Sequence, residues 1–241
     1  MLQSKEIKIF PTAMDAAGNI AINIKKLILS NSQRFDLALS GGSSPKILFD
    51  IIASKFSEKI CWSNVHFWWS DERCVPPEDN ESNYKMAKEH LLDPLKIASD
   101  HIHRIKGEIL PEDSSKEYSD EIKSNLRLRG DFPVFDLILL GMGPDGHTAS
   151  LFPDQLDLLK SEKCCEVSTF PSTGQKRVTF TSKLINNAEN VIFFVPGISK
   201  QQRVKEIVNG DKQSLKLPAN YIRPKNGNLL FFLDESSAGL L

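Results

Sequence analysis

The chain has 241 residues, a formal net charge of −1 and 40% hydrophobic residues. This length and composition fit an α/β protein with a sizeable core, and the balanced charge gives no indication of nucleic acid or a membrane surface as a partner. No apolar run is long enough to span a bilayer, and the first residues lack the apolar stretch of a secretory signal. The four cysteines show no zinc-type spacing, and a chain of this size does not depend on disulfides, so we expect a cytoplasmic protein.

Short apolar runs alternate with helical patterns along the chain. We predict strands at residues 7–10, 35–39, 65–69, 102–105, 135–140, 177–181, 191–195 and 229–233. Helices are predicted at residues 12–29, 46–53, 83–92, 114–128, 182–187 and 199–208. This alternation indicates an α/β fold with a doubly wound, mostly parallel sheet and helices on both faces, as in Rossmann-like proteins. No linker interrupts the pattern, so residues 1–241 are predicted to form a single domain.

The turn after the strand at 135–140 is rich in glycine and ends in His147. Loops at the carboxyl ends of parallel strands open into the crevice where ligands bind, and a histidine there can exchange a proton near neutral pH. We expect a short helix to begin near His147 and to be interrupted by Pro153, so that the helix dipole favours a neutral imidazole. His147 is therefore predicted to be a general base, with Asp145 orienting the ring or a water. The alternative is a histidine that only contacts solvent.

The same turn matches a dinucleotide-binding fingerprint, with glycines at 141, 143 and 146. That fingerprint needs a long helix packed on the sheet after the third glycine. Pro153 cuts the helix short here, and Asp145 and His147 flank the third glycine. We therefore predict no dinucleotide cofactor and no dehydrogenase activity.

Residues 40–45, Ser-Gly-Gly-Ser-Ser-Pro, lie between a predicted strand and a predicted helix. Glycines let several N–H groups point at one spot, and the helix start adds partial positive charge, which together favour phosphate binding. Ser44 is predicted to cap the helix and Pro45 to be its first residue. An ordinary strand-to-helix turn explains these residues equally well, and no Gly-Lys-Ser/Thr of a nucleotide-binding loop follows.

Charged residues follow other predicted strands. Asp71, Glu72 and Arg73 come directly after residues 65–69, and such charges are costly unless they line a crevice or pair with each other. Arg73 suits a carboxylate, a phosphate or a developing oxyanion. Lys200 lies in the first turn of a predicted helix, where it opposes the dipole and is explained by an anionic ligand or by exposure to water. Arg177, on a predicted strand, either reaches the same crevice or is an ordinary surface charge.

Two histidines, His101 and His103, are two residues apart and would share one face of a strand. This spacing resembles that of metal ligands, but no third ligand is evident, and paired histidines alone are usually structural or solvated. Cys164 and Cys165 have no partner spacing either. We therefore predict no metal site.

Four segments in this order resemble the 6-phosphogluconolactonase family. They are residues 39–45, residues 70–73 with 82–84, residues 141–153, and residues 195–197 with Lys200. The resemblance extends from about residue 10 to residue 233, and the set of four is specific although each segment alone is not. It implies a fold shared with the glucosamine-6-phosphate deaminases, hydrolysis of a ring ester in the pentose phosphate pathway, and no cofactor.

The related deaminases are the main alternative. They carry a tyrosine after their Asp-Glu pair and a glutamate five residues after the histidine, where this chain has Arg73 and Phe152. A phenylalanine cannot orient the imidazole, whereas Asp71 is retained at the position of the deaminase base. A third possibility, from a different functional class, is a sugar-phosphate sensor without catalytic activity.

The predicted reaction is hydrolysis of 6-phospho-D-glucono-1,5-lactone to 6-phosphogluconate, with a small phosphosugar lactone as the partner and a monomer or weak homo-oligomer as the active form. No serine has the Gly-x-Ser-x-Gly surroundings of an esterase nucleophile, so a covalent intermediate is not required. The predicted catalytic residues are His147, Asp145 and Arg73; the predicted phosphate ligands are Gly41, Gly42, Ser43, Ser44, Lys200 and Arg177; Asp71 and Gly143 are predicted to line the site.

Overall fold

The computed structural model describes residues 5–31 and 33–241. The expectation that the chain lacks a secretory signal concerns residues 1–4 above all, and these lie outside the described residues. No helix within the described ranges has both the length and the apolarity needed to cross a bilayer.

A six-stranded sheet in which every pairing is parallel forms the centre of the fold. Its spatial order is β1-β11-β10-β7-β2-β3. The strands are β1 (Glu6–Phe10), β2 (Phe35–Leu39), β3 (Val65–Trp69), β7 (Leu137–Leu140), β10 (Asn190–Val195) and β11 (Asn228–Asp234). Every residue of β2 and β7 is buried. Because neighbouring side chains on a strand point to opposite faces, both faces of the sheet are covered. The prediction of a doubly wound parallel sheet is confirmed.

Helices connect these strands. They are α1 (Ala13–Ser30), α2 (Ser43–Lys55), α3 (Asn83–Ala87), α4 (Asp93–Leu95), α5 (Pro111–Asn125), α6 (Ser182–Ile185), α7 (Gln201–Asn209) and α8 (Glu235–Ala238). The predicted helix at 83–92 is found as α3 followed by a π-helical turn, Lys88–Leu92. The first helix begins after Thr12, whose side chain accepts a hydrogen bond from the Asp15 N–H and so caps the helix.

A second, three-stranded antiparallel sheet was not predicted. It consists of β4 (Asp71–Arg73), β9 (Lys176–Phe180) and β8 (Cys165–Thr169), with β9 in the middle. The predicted strand at 177–181 therefore exists but lies outside the parallel sheet. Asp71–Arg73 is a strand of its own and not the charged end of β3. A short hairpin of β5 (Leu128–Arg129) and β6 (Phe132–Pro133) completes the strands.

Three other element predictions need correction. Residues 102–105 do not form a strand, because only Ile102 makes an isolated bridge, to Phe67. The helix predicted at 114–128 begins earlier, with Pro111 in its first turn, and ends at Asn125, before the β5–β6 hairpin. The helix predicted after the turn at residues 40–45 begins at Ser43, so Gly42 occupies the N-cap position that was assigned to Ser44.

The order of the strands determines where a ligand can bind. From β2 the chain runs outward to β3 on one side, whereas from β7 it continues through β10 and β11 on the other side. The connections after β2 and β7 therefore separate, which leaves a crevice between the carboxyl ends of these neighbouring strands. Ser40, directly after β2, donates its hydroxyl to the Leu139 carbonyl on β7 (2.8 Å), which ties the two strand ends together.

Candidate active site

A single cleft opens at this switch point. The turns after β2 and β7, the start of β4, one residue of β9 and the turn after β10 all contribute to its walls. Its lining residues are Ser40, Gly41, Gly42, Ser43, Ser44, Pro45, Asp71, Arg73, Asn83, Gly141, Met142, Gly143, His147, Ala149, Arg177 and Lys200. Every predicted site residue except Asp145 is in this set. Asp145 contacts the site through its hydrogen bond to His147.

The turn after β2 presents the start of α2 to the cleft. Gly42 has φ 101°, a left-handed conformation that glycine adopts without steric cost, and no side chain caps the helix. The N–H groups of Ser43 and Ser44 lie in the first helical turn and have no carbonyl partner one turn earlier within the helix. These donors and the helix dipole make this end of the cleft suitable for an anion.

Gly41 packs directly against the side chain of Asn83. A Cβ on Gly41 would lie 1.7 Å from the Asn83 Oδ1 atom, so only glycine fits. Asn83 in turn donates its Nδ2–H to the backbone carbonyl of Asp71 (2.9 Å). This contact fixes the turn after β2 relative to β4.

Glu72 holds the segment that carries Asn83. Its buried carboxylate accepts hydrogen bonds from the backbone N–H groups of Arg73, Asn83 and Tyr84 and from the Ser82 hydroxyl. Burial raises the pKa of Glu72, although these backbone N–H groups oppose the shift. Glu72 is thus a structural residue that positions the start of α3 at the cleft.

Asp71 is 5% exposed and lines the cleft. Its Oδ2 accepts the hydroxyl of Ser150 (2.6 Å), while its Oδ1 has only a long contact of 3.5 Å with the Asn83 Nδ2. No ion pair involving Asp71 occurs within residues 5–31 and 33–241. One oxygen of this carboxylate can therefore accept a further hydrogen bond.

The turn after β7 holds His147 without a helix, which corrects the predicted helix start. Gly146 and Ala149 have φ angles of 85° and 47°, and left-handed residues so close together are incompatible with a right-handed helix. The turn is instead closed by hydrogen bonds from the Gly143 N–H to the His147 carbonyl (3.0 Å) and from the Thr148 hydroxyl to the Gly141 carbonyl (2.9 Å). The imidazole therefore receives no support from a helix dipole.

Asp145 and His147 form a close pair. The Asp145 Oδ1 lies 2.6 Å from the imidazole Nδ1 and also accepts the His147 backbone N–H (3.2 Å). Burial alone would raise the pKa of Asp145, but the hydrogen bonds and charge of His147 outweigh this effect and hold it below its ordinary value. An ionised Asp145 places the imidazole proton on Nδ1 and leaves Nε2 as the acceptor. The structure thus favours the ring-orienting alternative for Asp145.

Arg73 and Arg177 face each other across the antiparallel pairing of β4 and β9. Like charges directly opposite each other on neighbouring strands repel. Burial and the nearby charge of Arg73 lower the pKa of Arg177, which is 7% exposed. The Nε atoms of both arginines are buried without a hydrogen-bond partner among the described residues. Two crowded guanidinium groups with free donors indicate a site for an anion.

Lys200 closes the cleft from the side of β10. It is the last residue of a single 3-10 turn, Ile198–Lys200, which follows Gly197 with its φ of 102°. The carboxylate of Asp234 accepts the Gly197 N–H (3.0 and 3.2 Å) and so fixes this turn. The Lys200 ammonium contacts only the Ser199 hydroxyl (3.1 Å) within the described residues, which leaves it available to an anion.

The sequence left His101 and His103 as either structural or solvated histidines. His103 is buried and stacks on Trp68. Its Nδ1 forms a hydrogen bond with the Glu121 carboxylate (2.7 Å), and its Nε2 forms one with the Nδ1 of His66 (2.9 Å). His101 stacks on His66 and lies outside the cleft. Within residues 5–31 and 33–241 no group of three or more potential ligands is arranged to hold a metal ion.

Comparison with known proteins identifies the family. A family model described as glucosamine-6-phosphate isomerases/6-phosphogluconolactonase matches residues 11–231. The chain belongs to this family. A 6-phosphogluconolactonase of Treponema pallidum is 45% identical over 191 residues, covering 79% of each chain. Another, of Haemophilus influenzae, is 42% identical over 234 residues, covering 96% of this chain and 98% of the relative.

The solved structures agree with this assignment. A 6-phosphogluconolactonase from Trypanosoma brucei matches this chain with a TM-score of 0.89 and 28% identity over 99% of both chains. The fold and the family expected from the sequence resemblance are thereby confirmed.

Several site residues were missed by sequence reasoning. Ser150 and Asn83 were seen only as parts of motifs, although they hold the Asp71 carboxylate and the turn at Gly41. Phe170 was not singled out at all, and no signal in its local sequence predicts that the β8–β9 hairpin brings it to Arg177. Phe152, noted only as a departure from the deaminases, contacts the imidazole of His147.

Proposed function

We propose that the protein hydrolyses 6-phospho-D-glucono-1,5-lactone to 6-phosphogluconate, the ring-ester hydrolysis of the oxidative pentose phosphate pathway. One observation carries the proposal: a single cleft has free N–H donors and cations at one wall and a carboxylate-paired histidine at another. This arrangement suits a substrate with a phosphate at one end and an electrophilic carbonyl at the other. The names of the family and of its relatives agree with this chemistry.

The phosphate binds at the start of α2. Its oxygens accept hydrogen bonds from the backbone N–H groups around Gly41, Gly42, Ser43 and Ser44, and Lys200 supplies a positive charge. The guanidinium group of Arg177 adds further positive charge, which an anionic ligand needs in a partly buried cleft.

His147 acts as the general base. Its Nε2 takes a proton from a water molecule as the water oxygen bonds to C1 of the lactone. The tetrahedral intermediate then expels the ring oxygen, which takes the proton back from the imidazolium as the C1–O5 bond breaks. The product acid ionises at neutral pH and releases one proton. Hydrolysis consumes only water, so the reaction needs no cofactor.

Asp145 and Arg73 support this step. Asp145 keeps the proton on Nδ1 and stabilises the imidazolium that forms during the reaction, and Arg73 donates to the oxyanion at C1. Asp71 is an acceptor for a sugar hydroxyl through its Oδ1 atom. Gly143 lies beneath the imidazole, where a larger residue would not fit.

Lactone hydrolysis is favoured over the deaminase reaction by one observation. Phe152 is fully buried, and its ring centre lies 5.1 Å from that of His147. An apolar ring at this position offers no carboxylate to the imidazole, so the relay that the deaminases place there is missing. The carboxylate partner of His147 is instead Asp145, from the same turn.

Three assays on the purified protein distinguish the possible functions. Addition of the lactone at constant pH should release acid faster than the uncatalysed hydrolysis and in proportion to protein concentration. Release of ammonia from glucosamine 6-phosphate would instead identify a deaminase. Binding of 6-phosphogluconate without turnover of the lactone would identify a sensor.

The cellular setting is part of the same proposal. All four cysteines are free thiols, which suits the reducing cytoplasm.

We further propose that residues 1–241 act as one domain, since the family match spans most of the chain, and that the active form is a monomer or weak homo-oligomer. Size-exclusion chromatography with light scattering measures the oligomeric state directly.

A further inference from the structure

Arg177 is held in the cleft in an unusual way for a buried arginine. It forms no ion pair within the described residues, its Nε has no partner, and its Nη1 has only a 3.5 Å contact with the Ser150 hydroxyl. It also faces Arg73 across the strand pairing. Repulsion from Arg73 favours displacement of the guanidinium. The carboxylates of Asp71, Glu81 and Glu72 attract it but form no ion pair with it within the described residues, so a direct contact is still needed to fix its position.

Two phenylalanines supply that contact. The Arg177 guanidinium carbon lies 4.4 Å from the ring centre of Phe170 and 5.7 Å from that of Phe152, and the two rings are 5.5 Å apart. These distances are in the range of cation–π interactions. We call Phe152 and Phe170 the aromatic clamp.

The clamp itself is fixed by the surrounding structure. Phe170 closes the β8–β9 hairpin through hydrogen bonds from its N–H to the Gln175 carbonyl (2.8 Å) and from the Gly174 N–H to its carbonyl (2.9 Å). Phe152 is fully buried. The hairpin therefore fixes the backbone that carries the half-buried Phe170 ring, and the core fixes Phe152.

We propose that the aromatic clamp positions Arg177 for the substrate phosphate without pairing its guanidinium with a carboxylate. A carboxylate in the same place would neutralise the guanidinium and compete with the phosphate, whereas an aromatic face attracts the cation without cancelling its charge. Phe152 has a second role, because it contacts both Arg177 and the imidazole of His147. Its ring therefore sets the distance between the phosphate ligand and the catalytic base.

This inference rests on the proposed role of Arg177 in phosphate binding, and the experiment tests the two separately. Phe170→Leu removes one aromatic face and is expected to raise KM for the phospholactone about 3- to 30-fold with little change in kcat. The kcat/KM for D-glucono-1,5-lactone, which lacks the phosphate, should not change. Phe170→Tyr keeps an aromatic face and should keep the wild-type KM.

The matched control is Phe132→Leu. Phe132 is also partly buried and also has a cation over its ring, the Lys183 ammonium at 4.5 Å, but it lies outside the cleft. This variant should leave KM unchanged for both lactones. Thermal unfolding of every variant shows whether it is folded under the assay conditions.

A second variant tests the clamp even if Phe170→Leu does not fold. Site-specific pentafluorophenylalanine at position 170 keeps the ring shape but removes its negative face, so KM for the phospholactone should rise as in Phe170→Leu. Phe152→Leu should raise KM and also lower kcat for both lactones, because Phe152 contacts His147 as well.

Three results would overturn the proposal. One is an unchanged KM in both the leucine and the fluorinated variant at position 170. Another is an equal loss of activity on the phosphorylated and phosphate-free lactones in Phe170→Leu, which would indicate general damage. The third is an unchanged KM in Arg177→Gln, which would remove Arg177 from the phosphate site and with it the premise of the clamp. A raised KM in Arg177→Gln without an effect at Phe170 would refute the clamp alone.

Discussion

His147 can act as a base only while one of its ring nitrogens is free of a proton, and Asp145 decides which nitrogen that is. The short contact between the Asp145 carboxylate and Nδ1, with the lowered pKa of Asp145, leaves Nε2 as the acceptor. In the proposed mechanism the chemistry therefore depends on one imidazole and its partner, whereas many donors would share the phosphate.

His147→Ala should remove most of the activity. A positioned general base typically contributes on the order of 10²–10⁴ in rate, so kcat should fall by about this factor. KM should change little, because the phosphate ligands lie on other elements. Steady-state kinetics with the phospholactone measure both constants, and full activity in this variant would contradict the assignment.

Lys200→Ala is the complementary variant. It removes a charge from the phosphate wall of the cleft, so KM should rise about tenfold or more while kcat changes little. The two variants should thus separate the two kinetic constants. An unchanged KM would exclude Lys200 from the phosphate site.

Asp145→Asn tests the pairing itself. The neutral amide lacks the charge that stabilises the imidazolium formed when Nε2 takes the water proton, so kcat at neutral pH should fall. KM should change little, because Asp145 does not line the wall predicted to bind the phosphate. Steady-state kinetics measure both constants, and a wild-type kcat would show that Asp145 does not act on the base.

The turn after β7 shows that a sequence pattern can predict the position of a single element without predicting its backbone conformation. The glycines predicted a turn that carries His147 to the cleft, and this turn is present, whereas the catalytic role of His147 stays a prediction. The helix start was wrong because the left-handed conformation of Ala149 cannot be read from its residue type. In contrast, the strand, turn and helix predicted around residues 40–45 are all present, and only the start of the helix moves, from Pro45 to Ser43.

Gly143 closes the turn after β7, because its N–H donates a hydrogen bond to the His147 carbonyl. A Cβ there would lie 2.3 Å from the His147 ring and 2.5 Å from the Asp145 carboxylate. Gly143→Ala should therefore displace the imidazole and lower kcat on the order of 10²-fold, as misplacement of a catalytic group by about 1 Å can do. Gly18→Ala, where a Cβ meets no atom within 4 Å, is the control. Wild-type kcat in Gly143→Ala would contradict the observed packing.

Asp234 fixes the turn before Lys200 by accepting hydrogen bonds from the Gly197 and Ser237 N–H groups. Burial raises the pKa of Asp234, but these hydrogen bonds outweigh it and leave the pKa below its ordinary value. The resulting stabilisation is complete above about pH 5 and disappears as the pH falls through the folded-state pKa.

Asp234→Asn should accordingly lower the free energy of unfolding at pH 7 by about 1–2 kcal/mol, and the difference from the wild type should shrink at pH 3. Urea unfolding at both pH values measures this. The same difference at pH 7 and pH 3 would show that the charge of Asp234 does not contribute.

In the whole molecule, the order of the strands brings the turn after β2 and the turn after β7 to the same cleft. The apolar runs predicted the parallel sheet, and the switch point between β2 and β7 follows from the order in which the strands pair. The small antiparallel sheet was not predictable, because a three-residue strand such as Asp71–Arg73 carries too short a pattern. As a result, the pairing of Arg73 with Arg177 and the place of Phe170 became visible only in the structure.

The central claim is that one cleft holds a phosphate at the start of α2 and presents the far end of the same molecule to His147. A crystal structure of the complex with 6-phosphogluconate tests it most directly. We predict the phosphate within hydrogen-bonding distance of the Ser43 and Ser44 N–H groups and the Lys200 ammonium, with the C1 carboxylate beside the Nε2 of His147. A phosphate bound beside His147, or a ligand bound outside this cleft, would contradict the account.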